Sequence, residues 1–598
     1  MTSPPARPFY LAAVPDPVFA VFHPAGAGPS MTAVILCSPW GWDDVASYRA
    51  RRTWAEQLAA SGYPTLRFDF PGTGDSGGSA EDPGRVEAGA GGVAAAANWL
   101  RAETGCSRVA AIGMGLGGLQ AAKAIAEGAA IDDLVLWAVP DRGRSFVRQE
   151  RAFSQMQTSR SGESGEPEPE LLPPGWMEAG GFVLSAETIA DLSTIDLAAI
   201  GTGRLRRALL LDRDGIAIDA RVGEHLGEAG VEVTRGKGNG WAEMCFHPER
   251  YKVPVQVIGT VAEWLAAAPR PTDVAAATGS ASVVHPPAPQ SADLAVAGVG
   301  VRESALTLNL PVGPLFAVLA EPVGVPRTGV SGIFLNAGAV RRIGPNRMWV
   351  EAARQWAARG VPTLRVDLAG IGDSDGDGMR FRDVGAFYEP QLGEEVVALI
   401  DEAFRRDLGE RVVLGGLCAG SYWSFHGAAR DKRVRAALMM NPRLLVWDTE
   451  LVARREVRTL TELQGVAGWR RLIRGEVTLS RMRAVARALA IHLRSMLRPN
   501  RRRVASRVEE LLSRLRDNGT RVLMAFSDDE PLHDELEQDG FFDRLDEWPN
   551  LEVRTLPGRD HTFRPIVAQR AVQALLDREL TRALDRVPAT HRDLPPGR

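Results

Sequence analysis

Residues 411–429 read RVVLGGLCAGSYWSFHGAA. Val412, Val413 and Leu414 make a short apolar run of the kind expected of a buried parallel strand. Gly416-Leu417-Cys418-Ala419-Gly420 follows, and then the start of a helix. The spacing is that of a G-x-S-x-G elbow with cysteine in the place of serine. A side chain carried on a tight strand-to-helix turn sits in a strained backbone conformation, and glycines two positions either side leave room for it. The first amides of the helix face that side chain, which favours a thiolate and would stabilise an oxyanion. A glycine-rich turn holding an inert cysteine has the same local pattern, so the rest of the chain must decide.

The chain has 598 residues, more than one core can use, so two or more domains are expected. Its hydrophobic content of 45% and charged content of 24% are those of a globular protein. A net charge of -4 argues against a nucleic-acid partner held by bulk charge. Cys37, Cys106, Cys245 and Cys418 lie too far apart for a metal cluster or a disulfide framework, and neither a metal nor a cofactor is expected. The opening MTSPPARPFY has no apolar signal region and no run reaches the length of a transmembrane segment. These features predict a cytoplasmic, reduced protein. The abundance of Ala, Arg and Gly suggests a bacterial source.

Outward from the elbow the chain repeats itself. Thr65–Gly78, TLRFDFPGTGDSGG, returns as Thr363–Gly376, TLRVDLAGIGDSDG, about 300 residues later. Leu315–Leu319 echoes Val18–Phe22, and Gly332–Gly338 echoes the strand and loop at Ala33–Gly41. Gly113-Met114-Gly115-Leu116-Gly117 stands where Gly416–Gly420 stands in the second copy. Each copy alternates strands with helices, which implies a mostly parallel sheet covered on both faces. A period this long is a duplicated domain, not a solenoid. The expected division is a first domain over 1–266, a Pro/Ala/Ser-rich linker over 267–300, a second domain over 301–587 and a disordered tail over 588–598. Residues 158–174 read as a mobile acidic loop.

Both halves resemble α/β-hydrolases. The second half resembles bacterial, exosortase-system-associated hydrolases in two motifs. One is an N-A-G-x-x-x-R-x-G-P-x-R loop, here Asn336-Ala337-Gly338 with Arg342, Gly344, Pro345 and Arg347; the other is R-x-D-x-x-G-x-G-D-S, here Arg365 to Ser374. The resemblance implies tandem α/β-hydrolase folds with inserted helical caps, and a nucleophile, an acid and a histidine in that chain order. Cys418 is the nucleophile candidate. The acid follows the strand Arg521–Phe526, where Glu530, Asp529 and Asp528 are candidates in that order of fit. His561, in the loop after the strand at Leu551–Leu556, is the base candidate, with His426 and His533 as decoys. The oxyanion would be held by the N–H of Ala419 and an N–H of Ala337 or Gly338.

The first half departs from this pattern. Gly115 stands at the nucleophile position, and Glu249 stands where similar domains carry the histidine, two residues after His247. Asp212 and Asp214 read as relics of the acid. The first half is therefore expected to be a pseudo-hydrolase, with Cys106 and Cys245 as core fillers.

Cysteine fits ester, thioester or lactone hydrolysis, and equally acyl transfer to an amine or alcohol. A pair of degenerate domains acting only as a binding scaffold is the third possibility. Arg341, Arg342 and Arg347 are candidate anion clamps for a substrate, with Asp367 and Asp373 as alternative ion-pair partners. The Arg-rich helical cap expected over 443–518 would suit an acidic carrier protein, coenzyme A phosphates or a membrane surface; a solvated helix face has the same composition.

Overall fold

The apolar runs of the two copies become the central strands of two sheets. The computed structural model describes residues 4–26, 30–163, 172–268, 289–448 and 501–585. In the first domain the strands are β1 (Arg7–Leu11), β2 (Val18–His23), β3 (Thr32–Cys37), β4 (Thr65–Phe68), β5 (Arg108–Met114), β6 (Asp133–Trp137), β9 (Arg207–Leu211) and β10 (Glu232–Gly236), with a small hairpin of β7 (Met177–Ala179) and β8 (Phe182–Leu184) outside the sheet. They lie in the order β1-β2-β4-β3-β5-β6-β9-β10, antiparallel at β1/β2 and β2/β4 and parallel from there on.

The second sheet uses β11 (Ser291–Val296), β12 (Val299–Leu310), β13 (Gly313–Val323), β14 (Val330–Phe334), β15 (Thr363–Asp367), β16 (Arg411–Leu417), β17 (Val434–Met440), β18 (Arg521–Phe526) and β19 (Leu551–Thr555). Its order, β11-β12-β13-β15-β14-β16-β17-β18-β19, repeats the first with one extra edge strand. Strands β14, β15 and β16 are buried almost throughout, as parallel strands covered on both faces must be.

Two expectations change here. The second sheet begins at Ser291, inside the span expected to be linker, because alternate residues of β12 bury on the sheet face while β11 pairs along its edge. Residues 269–288 and the tail over 586–598 lie outside the described residues. The acidic loop expected over 158–174 begins as helix, since Gly143–Glu163 is one α-helix. Most of the Arg-rich cap, 449–500, also lies outside the described residues; the helix Arg501–Asp517 closes it.

The repeated R-x-D…G-D-S stretches meet at the domain boundary, and they meet reciprocally. Arg67 of the first copy pairs with Asp373 of the second at 2.9 Å, and Arg365 of the second pairs with Asp75 of the first. Arg342 reaches Asp75 at 2.6 Å, Asp367 at 2.7 Å and Asp373 at 2.9 Å, and Arg341 forks onto Asp69 with two bonds of 2.9 Å. Glu303 joins Arg354 at 2.7 Å and Arg365 at 2.6 Å. Phe19 and Phe316, equivalent residues of the two copies, face each other across the same boundary. Burying an ion costs several kcal/mol, so such a cluster persists only where each charge meets an opposite one.

Arg342 and Arg347 are therefore not substrate clamps. Arg342 is wholly buried among three carboxylates. The Arg347 guanidinium donates to the carbonyls of Gly72, Gly74, Ser76 and Gly78, the glycine turn of the first domain. A guanidinium has five N–H donors, and here they knit the domains together.

Candidate active site

Strand β16 delivers Cys418 onto the turn before the helix Ala419–Arg430, with φ 57° and ψ -115°. That positive φ is uncommon for a residue with a side chain and marks a functional strain. The flanking glycines are sterically required. A Cβ on Gly416 would lie 2.2 Å from Gly420, and one on Gly420 would lie 2.3 Å from the Asn336 carbonyl. The elbow thus packs directly on the loop that carries Ala337 and Gly338. Asn336 anchors that loop by donating 3.0 Å to the Val340 carbonyl and to Asp367.

His561 and Cys418 face each other closely enough that each shifts the titration of the other. His561 Nδ1 lies 2.7 Å from Glu530 Oε1, which leaves Nε2 for the thiol. Asp529 is not part of this contact. It sits at a loop tip, 67% exposed, paired with Arg559 at 2.9 Å. Burial alone would raise the Cys418 thiol, but the charges of His561 and Arg443 and the bond to His561 outweigh it and bring it below its ordinary value. Burial would likewise lower His561, but the facing sulfur and Glu530 push it up to about 9. Both shifts run in the direction that favours a thiolate beside an imidazolium.

Strand order, elbow and partners settle the architecture. Both domains have the α/β-hydrolase fold. The model of X-Pro dipeptidyl-peptidases of the S15 family matches residues 18–156, in the first α/β-hydrolase domain. No curated protein matches the chain. Among solved structures, Est1E from Butyrivibrio proteoclasticus with ferulic acid bound is similar at 16% identity, with 43% of this chain and 97% of that one covered and a TM-score of 0.32. A dienelactone hydrolase from Anabaena variabilis is similar at 14% identity, with 47% and 98% covered and a TM-score of 0.31. An α/β serine hydrolase without a lid from Xanthomonas campestris is similar at 16% identity, with 44% and 97% covered and a TM-score of 0.27.

Three residues of the second α/β-hydrolase domain's site escaped the sequence. Asn441, wholly buried at φ 42°, donates 2.8 Å to the His561 carbonyl and 2.9 Å to Ser527, and accepts 2.7 Å from the Ser527 amide. It ties the loop of the acid to the loop of the base. The Arg443 Nε lies 3.3 Å from His561 Nε2, so its positive charge sits on the side of the ring that faces the sulfur. Glu249 comes from the first domain: its Oε1 lies 2.7 Å from where a Gly338 side chain would begin. Asn441 and Arg443 lie just beyond the end of β17, where the fold opens its site, a signal the sequence did carry. Glu249 stands at the relic histidine position of the other domain, and only the packing of the domains brings it here.

The first domain keeps the backbone of the elbow with glycine in place of the cysteine. Gly115 has φ 52° and ψ -126°, close to the values at Cys418. A side chain there would begin 3.3 Å from Pro39 and 3.6 Å from the Trp241 ring. Asp214 accepts from the amides of Gly240, Trp241 and Ala242, and Asp212 from that of Gly238, so both relic acids hold a turn. His426 rests on the Leu445 carbonyl at 2.9 Å, away from Cys418's partners, and His533 packs between Phe526 and Phe542.

Cysteine alkylation tests the thiolate. Burial pushes the Cys37 thiol up to about 12 and raises Cys106 and Cys245 as well. At neutral pH, limiting iodoacetamide labels Cys418 at least about tenfold faster than the other three, read by peptide mass mapping. Faster labelling of Cys106 would contradict an activated elbow.

Glu249 adds a signed expectation. Its carboxylate opposes the Cys418 thiolate. Glu249→Gln removes that repulsion, so the pH at which alkylation of Cys418 is half-maximal moves down. A midpoint that stays or rises means Glu249 does not face the sulfur in solution.

Proposed function

We propose that the second domain hydrolyses acyl esters or thioesters through an acyl-cysteine intermediate, with Cys418 as nucleophile, His561 as base and acid, and Glu530 orienting the imidazole. The observation that carries this is Cys418 on a strained elbow, electrostatically coupled to His561, whose ring is held by Glu530 at 2.7 Å. The thiolate adds to the acyl carbonyl carbon, and the carbonyl oxygen takes up the negative charge against the N–H groups of Ala419 and Ala337 or Gly338. The tetrahedral intermediate collapses as the bond to the leaving alkoxide or thiolate breaks, and the imidazolium protonates that group. His561 then takes a proton from water as its oxygen attacks the acyl-cysteine. The carboxylic acid departs and the thiolate returns.

Acyl transfer to an amine uses the same residues. Glu249 favours it as a second outcome, because a carboxylate beside the elbow would attract an ammonium acceptor. The first domain acts as a pseudo-hydrolase that shapes this entrance. The resemblance to exosortase-associated hydrolases and the match to a peptidase family model leave the acyl group open between ester, thioester and amide.

Turnover of p-nitrophenyl acetate and of an acetyl thioester, with and without added glycine methyl ester, separates the outcomes. Hydrolysis predicts acetate as product at a rate indifferent to the amine. Transfer predicts N-acetylglycine methyl ester at the expense of acetate. Activity on neither class would remove the proposal.

A further inference from the structure

A cavity of about 590 Å³ lies between the domains, and neither Cys418 nor His561 lines it. Its floor is the carboxyl edge of the first sheet: Trp40 follows β3, Phe70 follows β4 and Leu116 follows the β5 elbow. Open α/β sheets take their ligands at that edge, and this volume falls within the range of small-molecule sites. Phe182 and Leu184 of β8 make one wall, and the helix Ile566–Leu584 of the second domain makes another.

Two amide side chains on the second-domain side decide what such a site would take. Asn346 Oδ1 and Gln573 Oε1 are buried and have no hydrogen-bond partner. The other end of each amide identifies these atoms as the oxygens. Asn346 Nδ2 donates 2.9 Å to the Gly180 carbonyl, and Gln573 Nε2 donates 2.8 Å to the Met348 carbonyl. Turning either amide over would set carbonyl against carbonyl. Asn346 as a whole is only 9% exposed. A buried acceptor without a donor is costly, and a ligand that brings the donor recovers that cost.

Two basic residues of the lining are already engaged: Arg85 is held by Asp16 at 2.9 Å, and Arg347 by Glu351 at 3.1 Å and by backbone carbonyls. Asp577 lies 3.8 Å from Arg359, and its Oδ1 is a third buried acceptor without a hydrogen-bond partner. An anionic ligand would have to break one of these pairs or face that carboxylate; a neutral donor would not.

We propose that this cavity is a second binding site, which takes a neutral, largely apolar small molecule whose hydroxyl or N–H groups donate to Asn346 Oδ1 and Gln573 Oε1. The first domain would hold this ligand without turning it over, since Gly115 keeps the elbow's backbone but supplies no nucleophile. The site does not depend on the chemistry at Cys418.

Isothermal titration of the full-length Cys418→Ala chain tests it with three probes of one ring system: 1-naphthol, 1-methoxynaphthalene and 1-naphthoate. The expected result is one 1-naphthol per chain, bound about tenfold more tightly than 1-methoxynaphthalene, the worth of one donated hydrogen bond to an unpaired acceptor. Naphthoate binds more weakly than naphthol. Leu184→Trp fills the cavity and removes binding, and Gln573→Met narrows the gap between naphthol and its methyl ether. Equal affinity for naphthol and its ether in the unmodified cavity overturns the donor pairing. Absence of naphthol binding, or binding that survives Leu184→Trp in a folded protein, overturns the site. None of these outcomes bears on hydrolysis, which is read separately with the wild-type chain.

Discussion

Cys418→Ala lowers kcat/KM for p-nitrophenyl acetate by about 10⁴-fold or more, the size of effect seen when the nucleophile of a triad is removed. The loss has a definite origin. Alanine keeps the elbow's backbone and leaves the oxyanion donors and the His561–Glu530 pair in place, so what disappears is the attacking sulfur. His561→Ala costs a similar factor, and the double variant is little worse than either, because the two groups act as one unit. Glu530→Gln costs less than either, since the imidazole keeps its place while losing the charge that favours its protonated form. Gly115→Ser added to Cys418→Ala restores nothing: the new hydroxyl would start against Pro39 and Trp241, and the loop that should carry a base ends in an acid. Wild-type turnover in Cys418→Ala would mean that Cys418 is not the nucleophile, and turnover in neither protein would leave a binding scaffold as the surviving alternative.

Asp75→Ala destabilises the chain by about 3–5 kcal/mol, the cost of stranding buried charge. Its carboxylate is wholly buried and pairs with Arg342 at 2.6 Å and with Arg365. Removing it takes from Arg342 and Arg365, both buried in the second domain, the first-domain carboxylate they share, and leaves them only Asp367, Asp373 and Glu303. Urea unfolding monitored by tryptophan fluorescence reads the change, with the exposed pair Arg302–Asp293 as control. There side chains 52% and 62% exposed predict that Asp293→Ala costs less than about 1 kcal/mol. A loss at Asp75 no larger than at Asp293 would mean that the reciprocal ion pairs do not hold the domains together.

The duplication, the alternation of strand and helix, the elbow at Cys418 and the order Cys418, Glu530, His561 were all legible in the sequence. They rest on local rules: buried parallel strands are apolar runs, a strained turn demands glycines at fixed spacing, and a mostly parallel sheet needs a crossover between its strands. The missing nucleophile of the first elbow was legible too, because Gly115 has no side chain. The ambiguity among Asp528, Asp529 and Glu530 was not resolvable from spacing, since one residue along a loop changes the direction of a side chain completely. In the fold, Glu530 turns inward to His561 and Asp529 turns out to Arg559.

Tertiary structure alone decided the rest, and for one reason: charges separated by hundreds of residues carry no mark of their partners. Arg342 and Arg347 read equally well as anion clamps or as structural cations until Asp75, Asp373 and the Gly72–Gly78 turn came up against them. The repeated aspartates looked like turn residues of two separate domains, and they are the two halves of one reciprocal contact. Glu249, by sequence the remnant of a lost histidine, lies beside the Gly338 loop that packs on the Cys418 elbow of the other domain. The sequence by itself determined which domain could hold a nucleophile; only the packing of one sheet against the other determined which side chains surround it.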